Sequence, residues 1–377
     1  MKLSSLSMLP TINAQIQRFF PLKERLVLWQ AVRPGDYHYR ITPHALICAL
    51  MTAMVLRLSG VREITQRCSR SLGTRNFSSL CPALRRACSL AYVRALVTRL
   101  EGRHRPGRDA LVAIDGMAVT LPSTTRHRCP RINRMAVGGG VIWACAVDAA
   151  RGLCPVRVLK VMAGAWNDCV PMQDVALTPH GPVYLMDRGF FSLGLFAGWL
   201  RGGVRFIVRV RRDAVHQVER TLSQPRRYGA AGRIELDALV RLGNVNAREH
   251  PQVRLIRAVV GKQLLLLATG EMQWSAERVL DAYKKRDRIE RFHRLLKESI
   301  GLAHLYSFSW TGMVFLLHVA LLLAMLLTLG AAGADDREVI VVLRKALRTL
   351  RWQLGLGGLW KRNIIVYRRP QSPQENC

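Results

Sequence analysis

Pro182-Val183-Tyr184-Leu185-Met186-Asp187-Arg188-Gly189-Phe190 is the stretch on which the reading of this chain turns. An apolar run of strand length stops at an aspartate, and Arg188-Gly189 follow where the chain would turn. A short run without polar alternation reads as a strand buried on both faces, as in a parallel sheet covered by helices. Aspartate at such a strand end suits a turn or a helix cap. It equally suits a site, because open α/β sheets place their sites beyond the carboxyl ends of strands.

The neighbouring sequence supplies the rest of the sheet. Upstream, 110–121 is a near-continuous apolar strand interrupted by Asp115, and 138–147 and 155–161 read as two more strands joined by the turn 149–152. Asn167-Asp168 suits the cap of a short helix to about residue 177. Downstream, 193–200 reads as a helix ending at Gly202-Gly203. Strand 205–210 alternates, with Phe206, Val208 and Val210 on one face and Arg205, Arg209 and Arg211 near the other. Three strands, helix, strand, helix, strand is an α/β order. Residues 212–270 then interrupt it with a basic, strand-rich segment in which 253–260 and 263–269 form a hairpin across Gly261-Lys262. A long helix is expected from an N-cap at Ser275 to about residue 300, before Gly301.

The flanks are helical. Residues 42–58, with Pro43 in the first turn, then 62–71 and 81–100 read as helices, the last bearing Arg85, Arg86, Arg94 and Arg99. That fits a helical DNA-binding module or a bundle with a solvated basic face. Pro106-Gly107, among basic residues, marks a domain boundary. The tail repeats an apolar segment, 314–329, and a basic one, 337–354. The apolar segment, about 16 residues with His318 inside it, falls short of the roughly 20 that span a bilayer. It is expected to be a buried core helix, with no membrane partner, and no signal peptide is read at the N-terminus.

Composition narrows the partners. The 377 residues carry 57 Lys+Arg against 25 Asp+Glu, a formal charge of +32, while half are hydrophobic. Such a chain folds, and its basic surface calls for a polyanion, nucleic acid first. Nine cysteines without a C-x-x-C argue against a zinc ribbon and against a disulfide framework.

In an acid-poor chain the informative residues are the acids. Asp115, inside an apolar strand, would cost several kcal/mol if buried and unpaired, so a cation or hydrogen bonds must compensate it. On the long helix Tyr283, Arg286, Glu290 and Lys297 are spaced 3, 4 and 7. At 3.6 residues per turn they form one stripe about 60° wide, while Ile289, Phe292, Leu296 and Ile300 supply a core face. An ordinary salt-bridged helix surface is the competing reading. Asp168, as a helix cap, and Asp174 are the rival acids, and His293 points off the stripe as a polar rim residue. There is no G-x-S-x-G elbow, and Gly138-Gly139-Gly140 lacks the Lys-Ser/Thr of a phosphate-binding loop.

Y-x2-R-x3-E-x6-K, read as Tyr283, Arg286, Glu290 and Lys297, resembles the signature of a branch of bacterial insertion-sequence DDE transposases, best known in the insertion sequence four family. Asp115 in Ala113-Ile114-Asp115-Gly116 is similar to that family's first Asp, and Asp187 in the opening stretch to its second. The resemblance covers about 110–310. It implies a ribonuclease-H-like α/β core with a β-strand-rich insertion, plus an α-helical N-terminal domain and a helical C-terminal region. The layout expected is 1–105 helical and DNA-binding, 106–211 first part of the core, 212–270 insertion, 271–310 remainder of the core with the catalytic helix, and 311–377 a helical basic region.

The resemblance also implies chemistry. Asp115, Asp187 and Glu290 would be catalytic and would hold two Mg²⁺ ions, with Mn²⁺ as a substitute, while Tyr283, Arg286 and Lys297 would bind DNA. The activity implied is cleavage at insertion-sequence ends and strand transfer into target DNA, by a homodimer in the DNA complex, in the bacterial cytoplasm at the nucleoid. A ribonuclease-H-like nuclease without strand transfer, or a non-catalytic DNA-binding copy, are the alternatives. Two departures stand out. Asp287 occupies the position after the signature Arg where the family often has Trp, and no Trp lies between Trp199 and Trp274 to stack a flipped base, leaving Tyr228 as a weak stand-in.

Overall fold

A computed structural model of the chain describes residues 12–33, 40–58, 60–103, 106–119, 139–146, 154–163, 169–230, 232–298, 309–330 and 348. The turn at 149–152, the Asn167-Asp168 cap, Gly138, Ile300, Gly301 and the basic helix expected over 337–354 lie outside the described residues.

The N-terminal part is helical: α1 (Ile12–Phe19), α2 (Leu22–Val32), α3 (Pro43–Leu56), α4 (Val61–Arg67), α5 (Ser69–Leu72), α6 (Phe77–Arg85) and α7 (Ala87–Arg103). Local chemistry sets the boundaries. The Thr42 hydroxyl accepts from Ala45 N and Pro43 opens the first turn of α3, while Asn76 caps α6 through Ser78 N. The helix expected over 81–100 is two helices, because Pro82 sits inside α6 and Arg86 turns extended before α7.

One ten-stranded sheet forms the centre. Its strands are β1 (Leu111–Val119), β2 (Gly139–Ala146), β3 (Cys154–Ala163), β4 (Val183–Met186), β5 (Phe206–Arg209), β6 (His216–Ser223), β7 (Arg226–Tyr228), β8 (Gly232–Leu242), β9 (Gln252–Val260) and β10 (Gln263–Thr269). The order is β3-β2-β1-β4-β5-β10-β9-β8-β6, with β7 beside β8. Only β1, β4 and β5 run parallel to one another, and every other pairing is antiparallel. The 253–260 and 263–269 hairpin forms across Gly261, whose φ of +59° suits a residue without Cβ. The strands of 212–270 are continuous with the others, since β10 pairs with β5.

Residue parity along the strands separates two cores. Leu111, Ala113, Met117, Val183, Leu185 and Ile207 face the N-terminal helices, α10 (Ala276–Lys284), α11 (Asp287–Glu298) and α12 (Trp310–Gly330). Val112, Ile114, Tyr184, Met186, Phe206 and Val208 face α9 (Leu193–Arg201) and, near it, α8 (Cys169–Met172). The sheet is thus covered on both faces around β1, β4 and β5, which explains their unbroken apolar runs.

Two helical expectations change. The long helix from Ser275 is interrupted at Lys285–Arg286, where Arg286 N donates to Tyr283 O, Arg288 N to Lys285 O and Ile289 N to Arg286 O. These three-residue bonds tighten the chain, and Asp287 restarts it in a first turn whose positive dipole end suits an acid. The apolar tail segment is a helix of 21 residues, longer than expected. By length and composition it could cross a membrane, with a mean hydropathy of 2.2, yet 89% of that window is buried inside the molecule, against α7, α3 and β3 among others. Burial, and not shortness, makes it a core helix. Cys48, Cys68, Cys81, Cys88 and Cys169 are thiols outside any disulfide.

Charged contacts fasten α10 to the sheet. Arg254 and Asp237, only 5% and 2% exposed, pair at 2.7 Å from adjacent strands, and Arg254 also donates to the carbonyls of Glu271 and Trp274 just ahead of α10. Arg226 on β7 grips Glu277 on α10 at 2.5 Å, which holds that carboxyl down at about 2. The Tyr228 hydroxyl bonds Asp281 at 2.5 Å, with Lys284 over its ring.

Candidate functional site

Strand parity and register place the two strand acids side by side. Asp115 shares the parity of Ala113 and Met117, and so faces the helical layer. Ala113 pairs with Leu185 across β1 and β4, and Leu185 with Ile207 across β4 and β5. Two residues further on, Asp115, Asp187 and Arg209 therefore stand in one row, just past the last parallel pairs of β1 with β4 and of β4 with β5. The apolar residues on either side explain the local structure: they bury the strands and leave the acids at the edge of the buried layer.

Each carboxylate is partly committed to backbone. Asp115 Oδ1 accepts from Gly116 N at 3.0 Å. Asp187 Oδ1 accepts from Gly189 N at 2.8 Å and so caps a single 3-10 turn over Arg188–Phe190. The cap leaves the second oxygen of Asp187 turned toward Arg286.

Both aspartates also face one guanidinium. Arg286 Nη2 lies 3.4 Å from Asp115 Oδ1 and 3.7 Å from Asp187 Oδ2, and its Nη1 lies 2.7 Å from Glu290 Oε1. The Arg286 side chain is only 15% exposed and that of Asp115 13%, while Glu290 is 52% exposed. Burial works against the Arg286 charge, but the facing charges of Asp115, Asp187 and others outweigh it and hold its pKa above the usual arginine value. The stripe drawn for a continuous helix is thus bent at Lys285–Arg286, yet the four-residue step from Arg286 to Glu290 survives, and the two side chains meet.

Tyr283, at the end of α10, is buried, and burial pushes its phenol up to about 12. It lines a cleft of about 230 Å³ with Asp187, Arg188, Arg209 and Arg286. Next to that cleft a second, of about 590 Å³, is lined by Asp187, Arg188, Gly189, Arg211, Arg212 and Asp213. Lys297 is exposed on α11. Asp287 is exposed and pairs with Arg291 at 3.3 Å, away from the carboxylate cluster. Asp174 is exposed, and Asp168 lies outside the described residues.

His293 differs from the expectation. It is buried, with Nδ1 3.6 Å from Asp115 Oδ2, and its Nε2 is buried without a hydrogen-bond partner. Burial, and then the charges of Lys297 and Arg286, depress its pKa to about 3, so the ring is neutral. Angle counting on one straight helix put His293 at a rim, whereas the bend and the crossing of α11 over β1 turn it toward Asp115. Arg209 was visible only as one residue of an alternating strand, and the register with β4 carries it to the site.

Three oxygen-bearing acids around one point suit a hard divalent cation such as Mg²⁺. Their net charge with Arg286 is that of two unbalanced carboxylates. Among the described residues no three of His, Cys, Asp and Glu are gathered tightly enough to hold an ion as they stand. The donor chemistry fits a metal; the guanidinium occupies the ground between the donors.

A mixed α/β sheet thus carries an acidic cluster around Arg286 in a strongly basic chain. Residues 106–327, more than half of the chain, match the family model described as the transposase DDE domain, and the chain belongs to that family. No curated protein matches it.

Proposed function

We propose that this transposase binds the ends of an insertion sequence and catalyses their metal-dependent cleavage and strand transfer into target DNA. The observation that carries the reading is the convergence of Asp115, Asp187 and Glu290 on the single Arg286 side chain. The strand order β3-β2-β1-β4-β5, with β1, β4 and β5 parallel, Asp115 within β1 and Asp187 just after β4, supports a ribonuclease-H-like core within the mixed α/β fold. The signature residues support membership of the insertion sequence four branch, with the insertion at 212–270 extending the core sheet and the helical 1–105 as the DNA-binding part.

In this reading Asp115, Asp187 and Glu290 hold two Mg²⁺ ions, or Mn²⁺ in their place. Bound there, the ions supply activation of water or a 3′-hydroxyl and stabilisation of the leaving oxygen in an in-line displacement. The chain's own part is positioning. Asp115 Oδ1 is shared by Gly116 N and Arg286, whereas Asp187 gives one oxygen to Gly189 N and turns the other to Arg286. Glu290 approaches from α11, which follows directly on α10, the helix that the Arg226–Glu277 contact holds against the sheet. Tyr283, Arg286, Lys297 and the neighbouring Arg188 and Arg209 offer donors to backbone phosphates, which set register without reading sequence. Tyr228, fastened to Asp281 and Lys284, is not a candidate for stacking a flipped base. Holding two DNA ends calls for a homodimer, and the work belongs at the bacterial nucleoid with no membrane partner.

The test uses the purified full chain, Mg²⁺, a target plasmid, and a DNA fragment carrying the inverted repeats that flank its coding sequence. The reading expects end cleavage and a joined product. Cleavage without joining, also from a pre-cut end, would favour a nuclease. Binding without either would favour a non-catalytic DNA-binding protein.

A further inference from the structure

Arg286 is placed in the middle of the acidic cluster and not at its edge. One Nη reaches both strand aspartates, at 3.4 Å and 3.7 Å, and the other reaches Glu290 at 2.7 Å. Every carboxylate of the cluster therefore has its inward oxygen turned to the same guanidinium, where a metal ion would have to sit. We infer that Arg286 is a built-in counter-cation that competes with divalent metal for Asp115, Asp187 and Glu290, and must withdraw before the site loads. This rests on the carboxylate reading above and adds a second role to a residue assigned only to DNA.

Two features support withdrawal. The Arg286 Nε is buried without a hydrogen-bond partner, so one edge of the donor fork is unspent in this position. The cleft beside it, lined by Tyr283, Arg188 and Arg209, is where a phosphate would offer that fork a bidentate partner. Once the guanidinium leaves, the three carboxylates lose the cation they share, and the repulsion among them is relieved by taking up another. Occupancy by metal and occupancy by Arg286 are then coupled, and the coupling is reciprocal.

The experiment is a Mn²⁺ titration of the full chain without DNA, read from the electron paramagnetic resonance signal of free aqueous Mn²⁺. Wild type, Arg286→Gln, Arg286→Lys, Asp115→Asn and Asp187→Asn are compared, with circular dichroism to check folding. Arg286→Gln should bind Mn²⁺ about tenfold more tightly than wild type, within the usual range of site-to-site coupling. Adding Asp115→Asn to it should abolish the gain. Equal or weaker binding by Arg286→Gln overturns the inference. If that variant misfolds, Arg286→Lys, which cannot span three carboxylates, should show a smaller gain, and no gain overturns the inference. Should Asp115→Asn and Asp187→Asn bind Mn²⁺ as well as wild type, the carboxylate reading itself fails, whatever Arg286 does.

Discussion

Asp115 and Arg286 meet at 3.4 Å although 170 residues separate them in the chain, one within strand β1 and the other at the break between two helices. That contact brings together the acid which the apolar strand could not hold unpaired and the cation it required. It also fixes where α11 crosses β1, and so where Glu290 and His293 fall. The predictions below follow from that crossing and from what holds it.

The cleft beyond Asp187 is lined by Arg188, Arg211 and Arg212. If these cations contact phosphates, Arg211→Ala and Arg212→Ala should each lower the slope of log affinity against log salt by roughly one. Fluorescence anisotropy on a labelled duplex between about 50 and 200 mM salt measures it. Slopes unchanged from wild type would place the DNA elsewhere.

Arg254 and Asp237 are buried partners, and Asp237 also accepts from Ser223. Asp237→Ala strands a buried guanidinium, and should destabilise the fold by about 3–5 kcal/mol, the range for breaking a buried ion pair from one side. Urea denaturation measures the loss. A loss below about 1 kcal/mol would mean that Arg254 is satisfied by the Glu271 and Trp274 carbonyls alone.

His318 lies in the core of α12, its Nδ1 2.7 Å from Val314 O, and burial depresses its pKa to about 4. A group depressed in the folded state takes up its proton on unfolding, so its contribution is complete above pH 6.5 and falls away as pH drops toward 4. The wild type should lose roughly 3 kcal/mol through that window from this residue, and His318→Leu should flatten that part of the profile. Chemical denaturation from pH 7 to pH 4 decides it. An unchanged slope in the variant would assign the loss to other groups, His44 among them.

How much of this was legible in the sequence depended on whether a feature was local. The apolar runs ending at or broken by aspartate gave β1 and β4 and marked Asp115 and Asp187 as acids on strands able to lie side by side, while their common face came only with the register. The four-residue step from Arg286 to Glu290 survives the helix break because it lies almost wholly on one side of it. The break itself was hidden, since Tyr283 and Arg286 keep a helical spacing across it and only Asp287 hints at a new first turn. His293 and Arg209 were missed for another reason. Their approach to the acids is set by the crossing of α11 over β1 and by the pairing of β4 with β5, which are long-range relations. The continuity of 212–270 with the core sheet depends likewise on β10 meeting β5, a contact made across 58 to 62 residues. Length alone misjudged α12, because the expected segment left out its first turn.

The most direct test of the central claim is Mg²⁺-dependent cleavage of an end fragment by Asp115→Asn, Asp187→Asn and Glu290→Gln, with duplex affinity measured alongside. These three side chains are predicted to be metal ligands, so each variant should lose at least about a hundredfold in cleavage while binding the duplex within a few-fold of wild type. Wild-type cleavage in any one of the three would contradict the account, because that carboxylate would then have no part in the chemistry.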